Sequence, residues 1–270
     1  MSPDKRTVVI KAEGVSKRFG TVQAVDQVDY QLYENEVAGI LGSNGAGKTT
    51  FFNLLTGYYL PDEGRILYQG QDVTRMTPQQ RVSLGMMRSF QLTSTFDNLS
   101  VIDNLVLAFF RAHKSASLWQ LLINTCRKHR KDEKILATLA SFDLERVADR
   151  LVKHLGLGEK RRMEIAMEIL AEPKVLLLDE PLAGLAESEI KGVLDVLRQQ
   201  VGKQTILIVE HKISHVQDFL QRLIVMHEGR IIAEGGYECL QNPEVRKSYW
   251  QIDDSASESA SASADAGEVS

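Results

Sequence analysis

The stretch from Val37 to Leu55, VAGILGSNGAGKTTFFNLL, constrains this chain more tightly than any other part of it. A short apolar run leads into Gly42-Ser43-Asn44-Gly45-Ala46-Gly47-Lys48-Thr49, and a run of helical character follows from Lys48 to Thr56. The octet satisfies G-x-x-x-x-G-K-[ST], and its flanks are the strand and helix that the pattern requires. Glycines at 42, 45 and 47 let the backbone curl without side chains and aim its N–H groups at phosphate oxygens. The helix behind the loop adds the positive end of its dipole to the same spot. Lys48 supplies a point charge for β- and γ-phosphates, and Thr49 a hydroxyl for Mg²⁺. Ser43, Asn44, Ala46 and Thr50 complete the residues expected to line a nucleoside triphosphate, with Mg²⁺ as cofactor.

A second element answers the first. Val175-Leu176-Leu177-Leu178-Asp179-Glu180 reads as a buried strand ending in two carboxylates. In parallel sheets, ligands bind at the carboxyl ends of strands. That places Asp179 to hold Mg²⁺ beside Thr49, and Glu180 to polarise an attacking water as general base. His211 follows another strand, Thr205–Glu210, on the same presumed side, where an imidazole can donate to a γ-phosphate or order the water. His215, four residues on, lacks an HExxH glutamate and a third ligand, so it reads as a solvated helix position rather than a metal ligand.

The 270 residues leave room for a substantial core, and strand–helix alternation after Glu172 predicts an α/β fold with a mostly parallel sheet. Val8 to Leu32 alternates β-branched and polar residues, which predicts antiparallel strands turning near Gly20, and Tyr58 to Asp72 reads as a further hairpin. From about 93 to 172 helical periodicity dominates, in Val101–Arg111, Leu118–Leu139, Phe142–His154 and Lys160–Leu170, and predicts an inserted helical subdomain. A single nucleotide-binding domain is expected over 1–252. The segment 253–270, DDSASESASASADAGEVS, is expected to be a disordered acidic tail.

Composition narrows the partners. A formal net charge of −4 with 25% charged residues gives no broad basic field for nucleic acid. Cys126 and Cys239 stand far apart and read as free thiols of a reducing compartment. The charged opening Met1–Arg6 does not read as a secretory leader. The apolar runs Val106–Phe110 and Val175–Leu178 fall far short of the roughly 20 residues that cross a bilayer.

With these motifs in hand, residues 7 to 250 resemble the ATP-binding subunit of an ABC transporter. The resemblance implies ATP as the nucleotide and a P-loop NTPase core with an N-terminal antiparallel β subdomain and an inserted α-helical subdomain. It implies that Gln91, in RSFQ, contacts Mg²⁺ or water and links the site to membrane subunits, and that Phe19, in KRFG, stacks on adenine. It assigns the magnesium aspartate to Asp179, the catalytic glutamate to Glu180 and the switch histidine to His211. The family signature, usually LSGGQ, falls on Leu155-Gly156-Leu157-Gly158-Glu159 and departs from it: Gly156 replaces the serine, Leu157 a glycine and Glu159 a glutamine. Ala186, in PLAGLA, stands where an Asp or Asn is common. Two such subunits pair head to tail in this family, so an altered signature beside an intact phosphate loop favours a heterodimer, with a homodimer as the alternative. The implied partners are transmembrane permease subunits and, through them, a substrate-binding protein, at the cytoplasmic face of the cell membrane. RSFQ, TFDNLSVIDNL, GEKRRMEIAMEIL and the closing EGGYECLQNPEVRKSYW resemble the importers of branched-chain amino acids. Urea or short-amide importers and lipopolysaccharide exporters share much of this. Soluble ABC-type ATPases of nucleic acid or ribosomes form a rival of another class, but usually carry two cassettes or a long coiled coil.

Overall fold

The computed structural model describes residues 6–89, 95–113, 129–210, 213–243 and 245–246. Gln91, His211, Cys126 and the 253–270 segment lie outside the described residues.

The alternating N-terminal segments form an antiparallel sheet. Strands β1 (Val8–Phe19) and β2 (Val22–Tyr33) pair on either side of a turn at Gly20. The chain then runs through β3 (Val37–Leu41) and helix α1 (Lys48–Thr56) before returning as β4 (Glu63–Tyr68), which pairs with β1 and with β5 (Gln71–Asp72). The order is β2-β1-β4-β5.

A second sheet holds β3 at its middle. After the short α2 (Pro78–Ser83) come β6 (Met86–Arg88) and then, among the described residues, helices α3 (Val101–His113), α4 (Glu133–Ser141) and α5 (Leu157–Leu170). Strand β7 (Val175–Asp179), α6 (Glu187–Arg198), β8 (Thr205–Val209), α7 (Ile213–Val216), β9 (Arg222–His227) and β10 (Arg230–Gly235) complete the order β10-β9-β3-β8-β7-β6. Every pairing in it is parallel except β9 with β10.

The central strands are apolar throughout because both of their faces are covered. Their side chains alternate between two cores. Leu176 and Leu178 of β7, with Ile206 and Ile208 of β8, face the α3, α5 and α6 side. Val175 and Leu177, with Leu207 and Val209, face α1 and the antiparallel sheet. Phe51, Phe52, Leu54 and Leu55 make α1 the wedge between the two sheets.

The structure departs from sequence periodicity at 142–154. A continuous helix was expected there, but the chain makes two 3₁₀ turns, Glu145–Val147 and Val152–His154. Asp143 takes a left-handed φ of 50°, which ends α4. Backbone pairing then holds the segment extended: the Val101 N–H donates to the Arg150 carbonyl, and the Val152 N–H to the Leu99 carbonyl. Helices α2 and strand β6 lie in a stretch for which the sequence carried no assigned element. His215 is also not the solvated position expected: its side chain is only 16% exposed, and its Nε2 lies 3.4 Å from Glu187.

The far end of α1 is closed by a buried arginine. Arg81, 1% exposed, donates to the carbonyls of Leu54 (2.8 Å) and Leu55 (2.6 Å) in the last turn of α1, and to those of Val73 (2.8 Å) and Thr74 (3.1 Å). A cation on helix C-terminal carbonyls satisfies orphan acceptors and complements the dipole. Burial pushes the Arg81 pKa down to about 10, against the pull of Asp72, so it remains charged at neutral pH. Gly57 makes room for it: at φ +82°, a Cβ there would lie 2.8 Å from Arg81 Nε. We expect Arg81→Met to destabilise the chain by about 3 kcal/mol, since buried carbonyls lose a charged donor. Denaturant unfolding measures this, and a change below about 0.5 kcal/mol would refute the capping role.

Candidate functional site

The loop between β3 and α1 owes its shape to close backbone packing. Gly42 (φ +153°) and Gly47 (φ +97°) admit no side chain: a Cβ on either would lie 2.3 Å from a carbonyl oxygen, of Met226 or of Ala24. The loop thus sits against the start of β2 and the β9–β10 turn, where the Gly229 N–H donates to the Ala46 carbonyl at 3.0 Å. Asn44, Gly45 and Thr49 are exposed at its surface, and Ser43 and Thr50 are half-buried. Lys48 is buried and folds back over the loop, its Nζ donating to the carbonyls of Gly42 (2.7 Å) and Ser43 (2.9 Å). Burial lowers the Lys48 pKa, while the charges of Glu180 and Asp179 raise it. That balance puts the ammonium and both carboxylates in one electrostatic neighbourhood.

Topology brings them together. Strands β3 and β7 flank β8 in parallel register, so Leu41, Val209 and Asp179 end on the same edge. Asp179 is fixed from two directions: its N–H donates to Ser89 Oγ at 2.9 Å, and its Oδ2 accepts from Arg88 Nη2 at 2.9 Å. Glu180 has a left-handed φ of 47°, and its N–H donates to the Val209 carbonyl at 2.9 Å. A non-glycine residue holds such a conformation only when its surroundings impose it. Arg161 of α5, 6% exposed, supplies the constraint: it donates to the carbonyls of Glu180 (2.7 Å), Pro181 (3.0 Å) and Asp179 (3.4 Å). Glu164, one turn along α5, pairs with Arg161 at 3.4 Å, and its pKa is raised by burial against that charge. Glu210, just before the position of His211, accepts the Leu182 N–H at 3.0 Å and closes the turn after Glu180.

The signature-like segment is built differently. Gly156 caps α5, and Glu159 Oε2 accepts its N–H at 2.9 Å while pairing with Arg150 at 3.2 Å. Glu159 therefore satisfies within the chain a donor that a phosphate could otherwise take. The N–H groups of Leu157, Gly158 and Glu159 still begin the helix and have no intrahelical acceptor. Leu157 is 74% exposed. Gly158 lies against Glu189 of α6, since a Cβ there would meet its carboxylate at 2.4 Å. Glu189 also accepts the Ala186 N–H at 2.9 Å, the return half of a capping box whose other half Ala186, without a side-chain oxygen, cannot make.

Phe19 stands at the end of β1, 43% exposed. Tyr59 packs edge-on against it at 5.2 Å between centroids, and Lys17 Nζ lies 5.6 Å from its centre. An exposed ring held in place by neighbours is what a base-stacking platform requires. Sequence motifs did not point to Arg88, Arg161, Tyr59 or Glu189. Arg161, Ile165 and Glu168 share one buried face of α5, and a polar pair on such a face was the available signal.

The comparisons agree with this architecture. The family model described as ABC transporter matches residues 25–183. The high-affinity branched-chain amino acid transport ATP-binding protein LivG of Escherichia coli strain K12 is 35% identical, covering 89% of this chain and 97% of that protein. The corresponding BraF protein of Pseudomonas aeruginosa is 32% identical over the same shares. Among solved structures, a nucleotide-free ATP-binding cassette from an ABC transporter superposes with a TM-score of 0.72 at 29% identity, covering 92% of this chain and all of that one. A cassette in an ADP conformation gives a TM-score of 0.72 at 28% identity, covering 91% of this chain and 99% of that one. By sequence and by fold, this chain belongs to the ATP-binding subunits of the ABC transporter family.

Proposed function

We propose that this subunit hydrolyses ATP to power uptake of branched-chain or related amino acids, with Lys48, Asp179 and Glu180 at the centre of the reaction. The observation that carries the reading is the convergence of these three side chains at the carboxyl edge of one parallel sheet. The loop N–H groups and Lys48 bind the phosphates, exchanging the Gly42 and Ser43 carbonyls for phosphate oxygens. Thr49 and Asp179 offer the hydroxyl and carboxylate oxygens that suit Mg²⁺, and Asp179 already pairs with a cation, Arg88. When bound, the metal neutralises charge on the β- and γ-phosphate oxygens. Glu180 takes a proton from water as the water oxygen bonds to the γ-phosphorus and the β–γ bridging oxygen leaves with its electron pair. Arg161 keeps Glu180 in its left-handed conformation. Phe19 stacks on adenine, and Gln91 and His211, at positions matching the family motifs, complete the γ-phosphate side.

The cargo reading rests on the amino-acid transport relatives. The partner reading is a heterodimer, because Glu159 answers the signature donor of Gly156 within this chain while the phosphate loop and carboxylates keep the full family pattern. Attachment to the membrane is peripheral, through permease subunits on the cytoplasmic face. No helix among the described residues is long and apolar enough to cross a bilayer.

Glu180→Gln in the assembled transporter should lower ATP turnover about 100-fold or more while nucleotide binding persists. Undiminished turnover in the pair formed with a second ATP-binding subunit would refute hydrolysis at this chain's own site. We assign the permease-facing surface to the region of Phe96, in the stretch that follows Gln91. Phe96 is 55% exposed, and buried Asn104 pins its backbone by accepting its N–H at 2.9 Å and donating to its carbonyl at 3.2 Å. Phe96→Asp should leave nucleotide affinity intact and uncouple ATP turnover from transport in proteoliposomes. Normal coupling would place the docking surface elsewhere.

A further inference from the structure

Arg88 has no part in the reaction just described, yet its side chain joins Asp179 to helix α1. It ends β6, and its side chain is 13% exposed against 15% for Asp179. Nη2 donates to Asp179 Oδ2 at 2.9 Å, while Nη1 donates to Asn53 Oδ1 and to Thr56 Oγ1, the latter at 3.4 Å. The guanidinium also lies over two rings, its Cζ 4.9 Å from the centre of Phe52 and 4.7 Å from that of Tyr58. Phe52, Asn53 and Thr56 all belong to α1, the helix that starts at the phosphate loop. A planar fork held by two rings and two oxygen acceptors is set in position before it meets Asp179, and only arginine presents donors in this way.

We infer that Arg88 is a positioning residue that holds the Asp179 carboxylate until a divalent cation takes its place, so that cation binding there costs the Arg88–Asp179 ion pair. This rests on the reading of Asp179 as a metal-holding carboxylate. Free divalent cation then meets a carboxylate already neutralised. Cation accompanied by a nucleotide gains phosphate oxygens that offset the loss of the pair. Arg88 thus biases the site toward metal that arrives with nucleotide over metal alone.

The test is Mn²⁺ binding to the full chain saturated with ADP, read by electron paramagnetic resonance of free Mn²⁺, in the native chain and in Arg88→Met, Arg88→Lys, Arg88→Gln and Asp179→Asn. Arg88→Met should tighten Mn²⁺ binding about five-fold or more, because the competing charged hydrogen bond is gone. Arg88→Lys, which keeps the charge but loses the ring-stacked fork, should fall between the native chain and Arg88→Met. Asp179→Asn should weaken Mn²⁺ binding. Metal-free binding of a fluorescent ADP analogue certifies a folded site. Where Arg88→Met fails that check, Arg88→Gln replaces it with the same expected tightening. Unchanged or weaker Mn²⁺ binding in the charge-free Arg88 variants, with Asp179→Asn weakened, overturns the role of Arg88 alone. Unchanged binding in Asp179→Asn overturns the metal-holding reading as well.

Discussion

Everything chemical in this molecule hangs on β3 and β7 running parallel on either side of β8. Parallel pairing cannot be closed by tight turns, so each connection must leave the sheet, cross through a helix and return. The parallel strands, β10 excepted, then deliver their carboxyl ends to one edge, and the loops that follow meet there. The phosphate loop after Leu41 and the carboxylates at Asp179 and Glu180 are neighbours for that reason, although far apart in sequence. Burial of both faces pins the register, because a slip of one residue would exchange the two sets of core side chains.

Buried arginines hold the ends of this framework. Helices and strands that stop inside a protein leave carbonyl oxygens needing donors. Arg81 supplies them at the far end of α1, Arg161 after β7, and Arg222 ties β9 to the turn just before β3 through a bidentate pair with Glu36 at 2.8 and 2.7 Å. Each guanidinium reaches several acceptors at once, which a lysine ammonium does less well. The elements bearing Lys48 and Glu180 are therefore fixed from behind, leaving the loop surface at Asn44 and Gly45 for a ligand.

Sequence reading captured what depends on short-range pattern. The strand–loop–helix of 37–56, the N-terminal hairpin, the strand ending in Asp179 and Glu180, and helices α3 and α5 all announce themselves by spacing and periodicity. What it missed depends on contacts between distant segments. Residues 142–154 have helical periodicity but are drawn into pairing with 99–101. The three residues of β6 are too few to show alternation. Arg88 looks in sequence like ordinary surface charge, and only the fold shows that its side chain is largely covered beside Asp179. Gln91 and His211 stand as sequence expectations, since both lie outside the described residues.

The backbone at Glu180 sets chemistry against stability. A left-handed φ costs a side-chain-bearing residue roughly 1 kcal/mol, and glycine or asparagine would bear it more cheaply. Ranked by folding free energy alone, glutamate is a poor choice at 180. Selection of this chain for thermal tolerance or soluble yield, without selection for turnover, would therefore drift toward losing the carboxylate. On the proposed role of Glu180, a chain of this kind with Gly or Asn at that position would be a better-folded protein that had given up hydrolysis and kept the capacity to bind.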